Sequence, residues 1–191
     1  MQKIGIALAV VWLAVFSCAQ NSALDGVSNP NGSEGKGNGG EKLEWLNISE
    51  AGVKLQAQKR PILIDMYTDW CGWCKVMDKK TYTNTELIKY VSEKFYPVKL
   101  DAETRETINW NGKQFKFRSD YKVNEFAVYL AGGELAFPTT VIIPTDGTPP
   151  QAIPGYLKPE EMELILKYFG EGYYGKTPFQ EFQRQFKSSW K

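Results

Sequence analysis

Histidine is absent from this chain of 191 residues, and no charge of either sign dominates it: 23 lysines and arginines face 22 aspartates and glutamates, for a net charge of +1. Without histidine there is no Ser-His or Cys-His nucleophile pair and no His-ligated metal or haem. Without a cationic excess there is nothing to neutralise phosphates, so no nucleic-acid partner is expected. Cysteine is scarce as well, three residues in all, a poor supply for a zinc site that needs four ligands. The longest apolar run, Ile4 to Phe16, is shorter than a membrane span requires. The length fits one domain with appendages.

Lys3 followed by that run has the charged start and short apolar core of a secretory signal. The run closes on Val15-Phe16-Ser17-Cys18, which resembles a bacterial lipobox, Phe16 being its loosest match. The resemblance implies that Cys18 is lipidated and becomes the mature N-terminus; simple cleavage after Ala19 is the alternative. Either way Cys18 is not a third catalytic thiol. Residues 19–41 are Asn, Ser, Gly and charged residues with almost nothing apolar, a composition that cannot offset the entropy of ordering. As a Gly-rich coil they form a tether with a reach on the order of 25 Å. The chain is therefore expected to be exported, as a periplasmic or outer-membrane-associated bacterial lipoprotein.

Cys71-Gly72-Trp73-Cys74 stands directly behind the run Pro61 to Tyr67 and is led in by Trp70. The apolar, β-branched run reads as a buried strand, and the breaker-free segment from Cys74 onward as a helix. Cys71 then sits at a helix N-terminus. Unpaired N–H groups and the positive end of the helix dipole stabilise a thiolate there. Two thiols at this spacing and place read as a redox-active pair. A permanent structural disulfide and half of a zinc site are the alternatives.

Downstream, Leu43 to Leu46 reads as a short strand, and Ser49 as the cap of a helix running to about Lys59. Thr83-Asn84-Thr85-Glu86 has the form of a capping box before a helix carrying Leu87, Ile88, Val91 and Phe95. Tyr96 to Leu100 is a further strand, and the alternation implies parallel strands joined by helices. Asn111-Gly112 predicts a hairpin with Ile108, Trp110, Phe115 and Phe117 on one face. A helix is expected from its cap Asn124 to Ala131, stopped by Gly132-Gly133. Phe137 to Ile143 reads as a strand opened by Pro138, with Asp146-Gly147 turning it back near Gln151 to Pro154. Pro159 starts a helix with an apolar stripe of Met162, Ile165, Leu166 and Phe169, ended by Gly170. A last helix from Thr177-Pro178 carries Phe179, Phe182, Phe186 and Trp190 on one side, a stripe read as core packing rather than as a partner or membrane surface.

Ile62-Leu63-Ile64-Asp65, Trp70 to Lys75, Val98-Lys99-Leu100-Asp101, Phe137-Pro138-Thr139 and Gly155 together resemble the thioredoxin family over roughly residues 43–170. The likeness is greatest to the periplasmic thioredoxin-like group related to the C-terminal domain of transmembrane thiol:disulfide interchange proteins. It implies a three-layer α/β/α sandwich with a central mixed sheet, here with an inserted hairpin and a C-terminal helical extension. The expected organisation is a signal (1–18), a tether (19–41), the domain (42–170, insertion about 102–136) and a helical tail (171–191). By resemblance Cys71 is the exposed, attacking thiol and Cys74 the buried resolving thiol. Asp65 matches a buried acid that takes a proton from Cys74, although a carboxylate merely exposed at a strand end fits its position too. Lys99 matches a lysine near that acid. Pro138 matches a cis loop proline beside the disulfide, leaving the backbone of Phe137 to pair with an extended substrate. Trp70, Gly72 and Trp73 complete the expected substrate-contacting surface, unless the indoles pack into the core, Trp70 more readily than Trp73.

Gly72-Trp73 replaces the Gly-Pro of many thioredoxins, which leaves the reduction potential open. The insertion is either a wall of the substrate groove or an edge hairpin. Taken together the chain is expected to be a thiol:disulfide oxidoreductase in an extracytoplasmic compartment, more a reductant or maturation factor than a strong oxidase. It needs protein thiol or disulfide substrates and a membrane electron donor or acceptor, and neither a cofactor nor a metal is implied. A non-catalytic peptide-binding module with a structural disulfide is the alternative, and soft-metal binding such as copper(I) lacks a third ligand.

Overall fold

The computed structural model describes residues 42–191; the signal, Cys18 and the tether lie outside the described residues. Ile62–Tyr67 is strand β1, preceded by helix α1 (Ile48–Ala57) and followed by α2 (Gly72–Lys80) and α3 (Thr85–Lys94). Next come β2 (Tyr96–Asp101), β3 (Ile108–Trp110), β4 (Lys113–Phe115), β5 (Phe117–Arg118), β6 (Val123–Asn124) and α4 (Glu125–Ala131). The chain closes with β7 (Thr139–Ile143), β8 (Gln151–Pro154), α5 (Pro159–Gly170) and α6 (Phe179–Gln185). Four strands form the central mixed sheet in the order β2-β1-β7-β8, with β2 parallel to β1 and the other pairings antiparallel. This is the three-layer sandwich with inserted hairpin and C-terminal helix that the sequence implies.

β1 is central, so both of its faces are covered. Side chains alternate along a strand, and Ile62, Ile64 and Met66 enter a core shared with α1, the β3–β4 hairpin and α4. Leu63 enters the opposite core, with Met77 of α2, Leu87 and Val91 of α3 and Met162 and Leu166 of α5. Asp65 follows Leu63 by two and therefore points the same way, beneath the helix that starts at the cysteines.

Several local expectations give way to stronger chemistry nearby. Leu43 to Leu46 is not a strand: Leu46 makes a single parallel bridge to Val98. Asn47 rather than Ser49 caps α1, because Glu50 lies three residues on and the two side chains bond each other's backbone N–H groups. Asn84 rather than Thr83 caps α3, accepting from Leu87 N–H, while the Thr83 hydroxyl donates back to the Lys79 carbonyl.

Asn111 and Gly112, at φ 48° and 74°, make the left-handed pair that a tight hairpin turn needs. Ile108 and Trp110 are buried as expected and Phe115 packs on the same core. Phe117 does not join them. The backbone of Lys116 is taken up by Glu125, through Lys116 N–H to Oε2 and the Glu125 N–H to the Lys116 carbonyl. That interrupts the ladder, so Phe117 belongs to the separate β5–β6 pair, with Arg105 over its ring.

The last helix is shorter than expected and ends at Gln185. Trp190 leaves the helical stripe and is buried in the α3–α5 core, its ring edge-on to Tyr90. Glu163 of α5 holds it there: this buried carboxylate accepts from the N–H groups of Ser189 and Trp190 and the hydroxyls of Ser188 and Ser189, and pairs with Lys167 at 2.8 Å. Burial raises the Glu163 pKa, but these donors outweigh it and bring the group down to about 2.

Candidate active site

The turn from β1 into α2 is closed by the Cys71 N–H donating to the Thr68 carbonyl at 3.1 Å. Cys71 is the N-cap of α2, and its sulfur accepts from the Cys74 N–H at 3.0 Å. Cys71 and Cys74 are joined as a disulfide, S–S 2.06 Å. Neither sulfur residue is open: Cys71 is 4% exposed and Cys74 3%. The expectation of an exposed Cys71 thus fails in the oxidised state, because the bond folds its sulfur back over the first helical turn. Any thiolate formed there on reduction faces helix N–H groups, an arrangement that favours the charged form.

The indoles take the exposed positions instead, Trp70 at 67% and Trp73 at 62%. Neither indole takes the alternative of packing into the core, and Trp70, for which that alternative is the stronger, is the more exposed of the two, since its anchors lie on the rim. Its Nε1–H donates to Glu103 at 3.0 Å and its ring meets Phe137 edge-on at 5.9 Å. Trp73 leans on Tyr156, with ring centroids 5.6 Å apart. At Gly72 a Cβ would meet nothing within 4 Å, so the position is open rather than sterically reserved for glycine.

The Phe137–Pro138 bond is cis. Thr139, next in the chain, pairs with Met66 near the end of β1, which brings the proline loop to the sheet end from which Cys71 departs. The Pro138 carbonyl accepts from the Gly155 N–H at 2.8 Å, and the Thr139 hydroxyl donates to Ala136.

Asp65 is buried, not exposed at a strand end. Its Oδ2 lies 3.2 Å from Lys99 Nζ, and Lys99 also bonds Asp78 of α2. Lys99 stands 5.3 and 5.2 Å from the ring centroids of Trp45 and Tyr67, half enclosed by them. Burial is the main force on the Asp65 carboxyl and lifts its pKa to about 6; Lys99 opposes the rise and the charge of Asp78 adds to it. Burial alone lowers the pKa of Lys99, but its bonds to the two carboxylates more than reverse that. Such a carboxyl can hold or release a proton near neutrality.

Asp78, Tyr82, Thr140, Glu103 and Tyr156 escaped sequence reasoning. Asp78 had a signal, since it lies four residues, one helical turn, past Cys74. The others reach the site from separate loops and strands and carry no local pattern. Among the described residues no group of three or more metal-ligating side chains converges, and no helix is long and apolar enough to cross a membrane. A cavity of about 840 Å³ lies between the hairpin and α4, lined by Phe115, Tyr121, Val123 and Leu135 among others, but by none of the residues above.

A family model of the thioredoxin-like domain matches residues 48–170. A thioredoxin of Borreliella burgdorferi is 29% identical over 116 residues, 58% of this chain and 74% of that protein. Human spermatogenesis-associated protein 20 is 32% identical over 60 residues, 31% of this chain; the match spans only 8% of that protein's length. A thioredoxin-fold protein from Helicobacter pylori superposes with a TM-score of 0.52 at 19% identity, covering 65% of this chain and 78% of that one; at this identity the likeness is one of fold.

Proposed function

We propose, from the premise that this chain belongs to the thioredoxin-like domain family, that it is an extracytoplasmic thiol:disulfide oxidoreductase acting as a reductant or maturation factor. The fold and its CxxC-spaced cysteines support the oxidoreductase chemistry. The observation that carries the reading is the Cys71–Cys74 disulfide at the N-terminus of α2, with the buried Asp65 carboxyl beneath that helix. In the reduced protein the Cys71 thiolate attacks a substrate disulfide and releases one substrate thiolate, giving a mixed disulfide. Cys74 gives its proton to Asp65, and its thiolate then attacks Cys71 Sγ. The bond between Cys71 and the substrate breaks, its electron pair leaves with the substrate sulfur, and the enzyme is left oxidised. Trp70, Gly72, Trp73, Phe137 and Pro138 form the surface on which an extended substrate lies; the two exposed indoles supply apolar contact, and an edge-strand pairing with the Phe137 backbone supplies direction.

The signal-like N-terminus supports export, and Cys18 supports a lipid anchor. A compartment that oxidises thiols consumes reducing equivalents, so a membrane electron donor serves the reductant, as an acceptor would serve an oxidant. Trapping tests the mechanism: Cys74→Ser accumulates a mixed disulfide with the natural substrate, and Cys71→Ser abolishes exchange. If neither variant captures a protein and both remain active, the mechanism is wrong. Cys18→Ala moves the protein into the soluble fraction; unchanged membrane fractionation argues against the anchor.

The burial of both sulfurs favours a second reading, a peptide-binding module whose disulfide is purely structural. A reduction potential below about −300 mV, the range of structural disulfides, together with no insulin reduction, decides for that reading and against the enzyme.

A further inference from the structure

Asp65, Tyr82 and Thr140 come from three separate parts of the chain and bring one oxygen each to the same buried place. Thr140 is the β7 residue paired directly opposite Asp65, and Tyr82 follows α2 and sits in the core on the Asp65 side of the sheet. All three side chains are buried. Asp65 Oδ1, Tyr82 Oη and Thr140 Oγ1 each lack a hydrogen-bond partner. The strand register sets Thr140 directly across from Asp65 on the face where Tyr82 packs, and in keeping with that, burial and then the Asp65 charge hold the Tyr82 hydroxyl well above its ordinary pKa, with the Thr140 hydroxyl opposing the rise.

A buried polar atom left unpaired costs about 1–3 kcal/mol. Stability alone would thus favour phenylalanine at 82 and valine at 140. The Tyr82 ring is locked edge-on against Trp45 at 4.8 Å. It also lines, with Asp78 and Lys99, a cleft of about 480 Å³, so it reaches from the cleft wall to the neighbourhood of the carboxyl.

We propose that Tyr82, seconded by Thr140, is a positioning residue for Asp65, its hydroxyl donating to Oδ1 when the carboxyl is charged and accepting from it when the carboxyl is protonated. This rests on the oxidoreductase reading above. The groups that face Asp65 are Lys99 from β2, which takes Oδ2, Asp78 from α2, Tyr82 beyond it and Thr140 from β7. Lys99 serves one carboxylate oxygen, so the hydroxyls are left to serve the other. A hydroxyl both donates and accepts, and a rotating pair accommodates either state of the acid without moving the backbone. In the resolving step the proton leaves Cys74 Sγ for Asp65, the Cys74 thiolate forms the new S–S bond to Cys71, and the departing substrate thiolate is protonated by solvent. Asp65 then releases its proton to solvent, so nothing is left over.

The test is Tyr82→Phe in the full chain, which removes one oxygen and keeps the ring. The Asp65 carboxyl is titrated by carbon-13 NMR, and insulin reduction with dithiothreitol as electron source is followed against pH. Loss of the donor disfavours the charged acid, so the NMR midpoint and the rising limb of the pH profile both move up by about one unit, a tenfold fall in ionised Asp65 below the midpoint. Thr140→Val, which keeps the side-chain shape, moves both in the same direction. If Asp65 titrates as in the wild type in both variants, the hydroxyls are structural and the proposal is overturned. If the midpoint moves while the wild-type chain reduces no insulin, the positioning stands and the oxidoreductase reading falls.

Discussion

Replacing Asp65 by asparagine stabilises the protein while slowing its chemistry, and the size of the gain depends on pH. The carboxyl titrates at about 6 in the folded chain against 3.8 in the unfolded one. Between those values the folded state binds more protons than the unfolded state, so stability falls as pH rises through that window. The wild type is at its best below about pH 4, where both states are protonated, and carries the full penalty of a buried charge above about pH 7. A difference of about 2 pH units at 1.36 kcal/mol each amounts to about 3 kcal/mol. Asparagine has the same shape and no charge to bury, and Lys99 keeps its bond to Asp78. Urea unfolding of Asp65→Asn against wild type shows a gain of up to about 3 kcal/mol at pH 7.5, falling across the window from about pH 6 to about pH 4 and reaching less than about 1 kcal/mol at pH 4. For a domain of this size the gain at pH 7.5 corresponds to a rise of roughly 6–12 °C in Tm. Loss of a proton acceptor slows insulin reduction by about 100-fold or more. A difference in stability that is flat with pH, or a variant less stable than wild type throughout, refutes the electrostatic account of Asp65.

Glu163 makes the opposite case, because its folded pKa of about 2 lies below its unfolded 4.5. The stability it contributes is present above about pH 4.5 and is lost as pH falls through 2. Glu163→Gln therefore costs about 1–3 kcal/mol in urea unfolding at pH 7 and almost nothing at pH 2, and it loosens the Trp190 indole signal in NMR; an unmoved Trp190 signal contradicts the latch. At Gly170 a Cβ would come within 2.7 Å of the Tyr90 hydroxyl and 3.0 Å of the Phe95 ring. Although alanine is the better helix former, Gly170→Ala should lower stability by about 1–3 kcal/mol through overpacking; a stabilised variant shows that the rings give way freely.

Much of the architecture is written in short stretches of chain. The β1 run is apolar on both faces because it is covered on both faces, and the Asn124 cap with Gly132 in the left-handed region bounds α4 where the sequence places it. Caps failed where a second capping residue stood one or two positions away: Asn47 and Asn84 won because each had a backbone N–H at the right distance inside the turn. The Phe117 face failed because the competitor for the Lys116 backbone, Glu125, is nine residues away and belongs to a helix.

By itself the sequence determined the order of elements, the CxxC pair at a strand-to-helix turn, and an acid two residues past Leu63 in the preceding strand, since periodicity, capping and turn chemistry act between residues a few positions apart. Only the tertiary structure decided that Asp65 shares its surroundings with Lys99, Asp78, Tyr82 and Thr140, that both indoles stand outward while both sulfurs are covered, and that Trp190 is drawn into the core by Glu163. Those outcomes depend on burial and on partners distant in sequence. A pKa, an exposure or a latch belongs to the space around a residue, and that space is assembled only when separated segments meet.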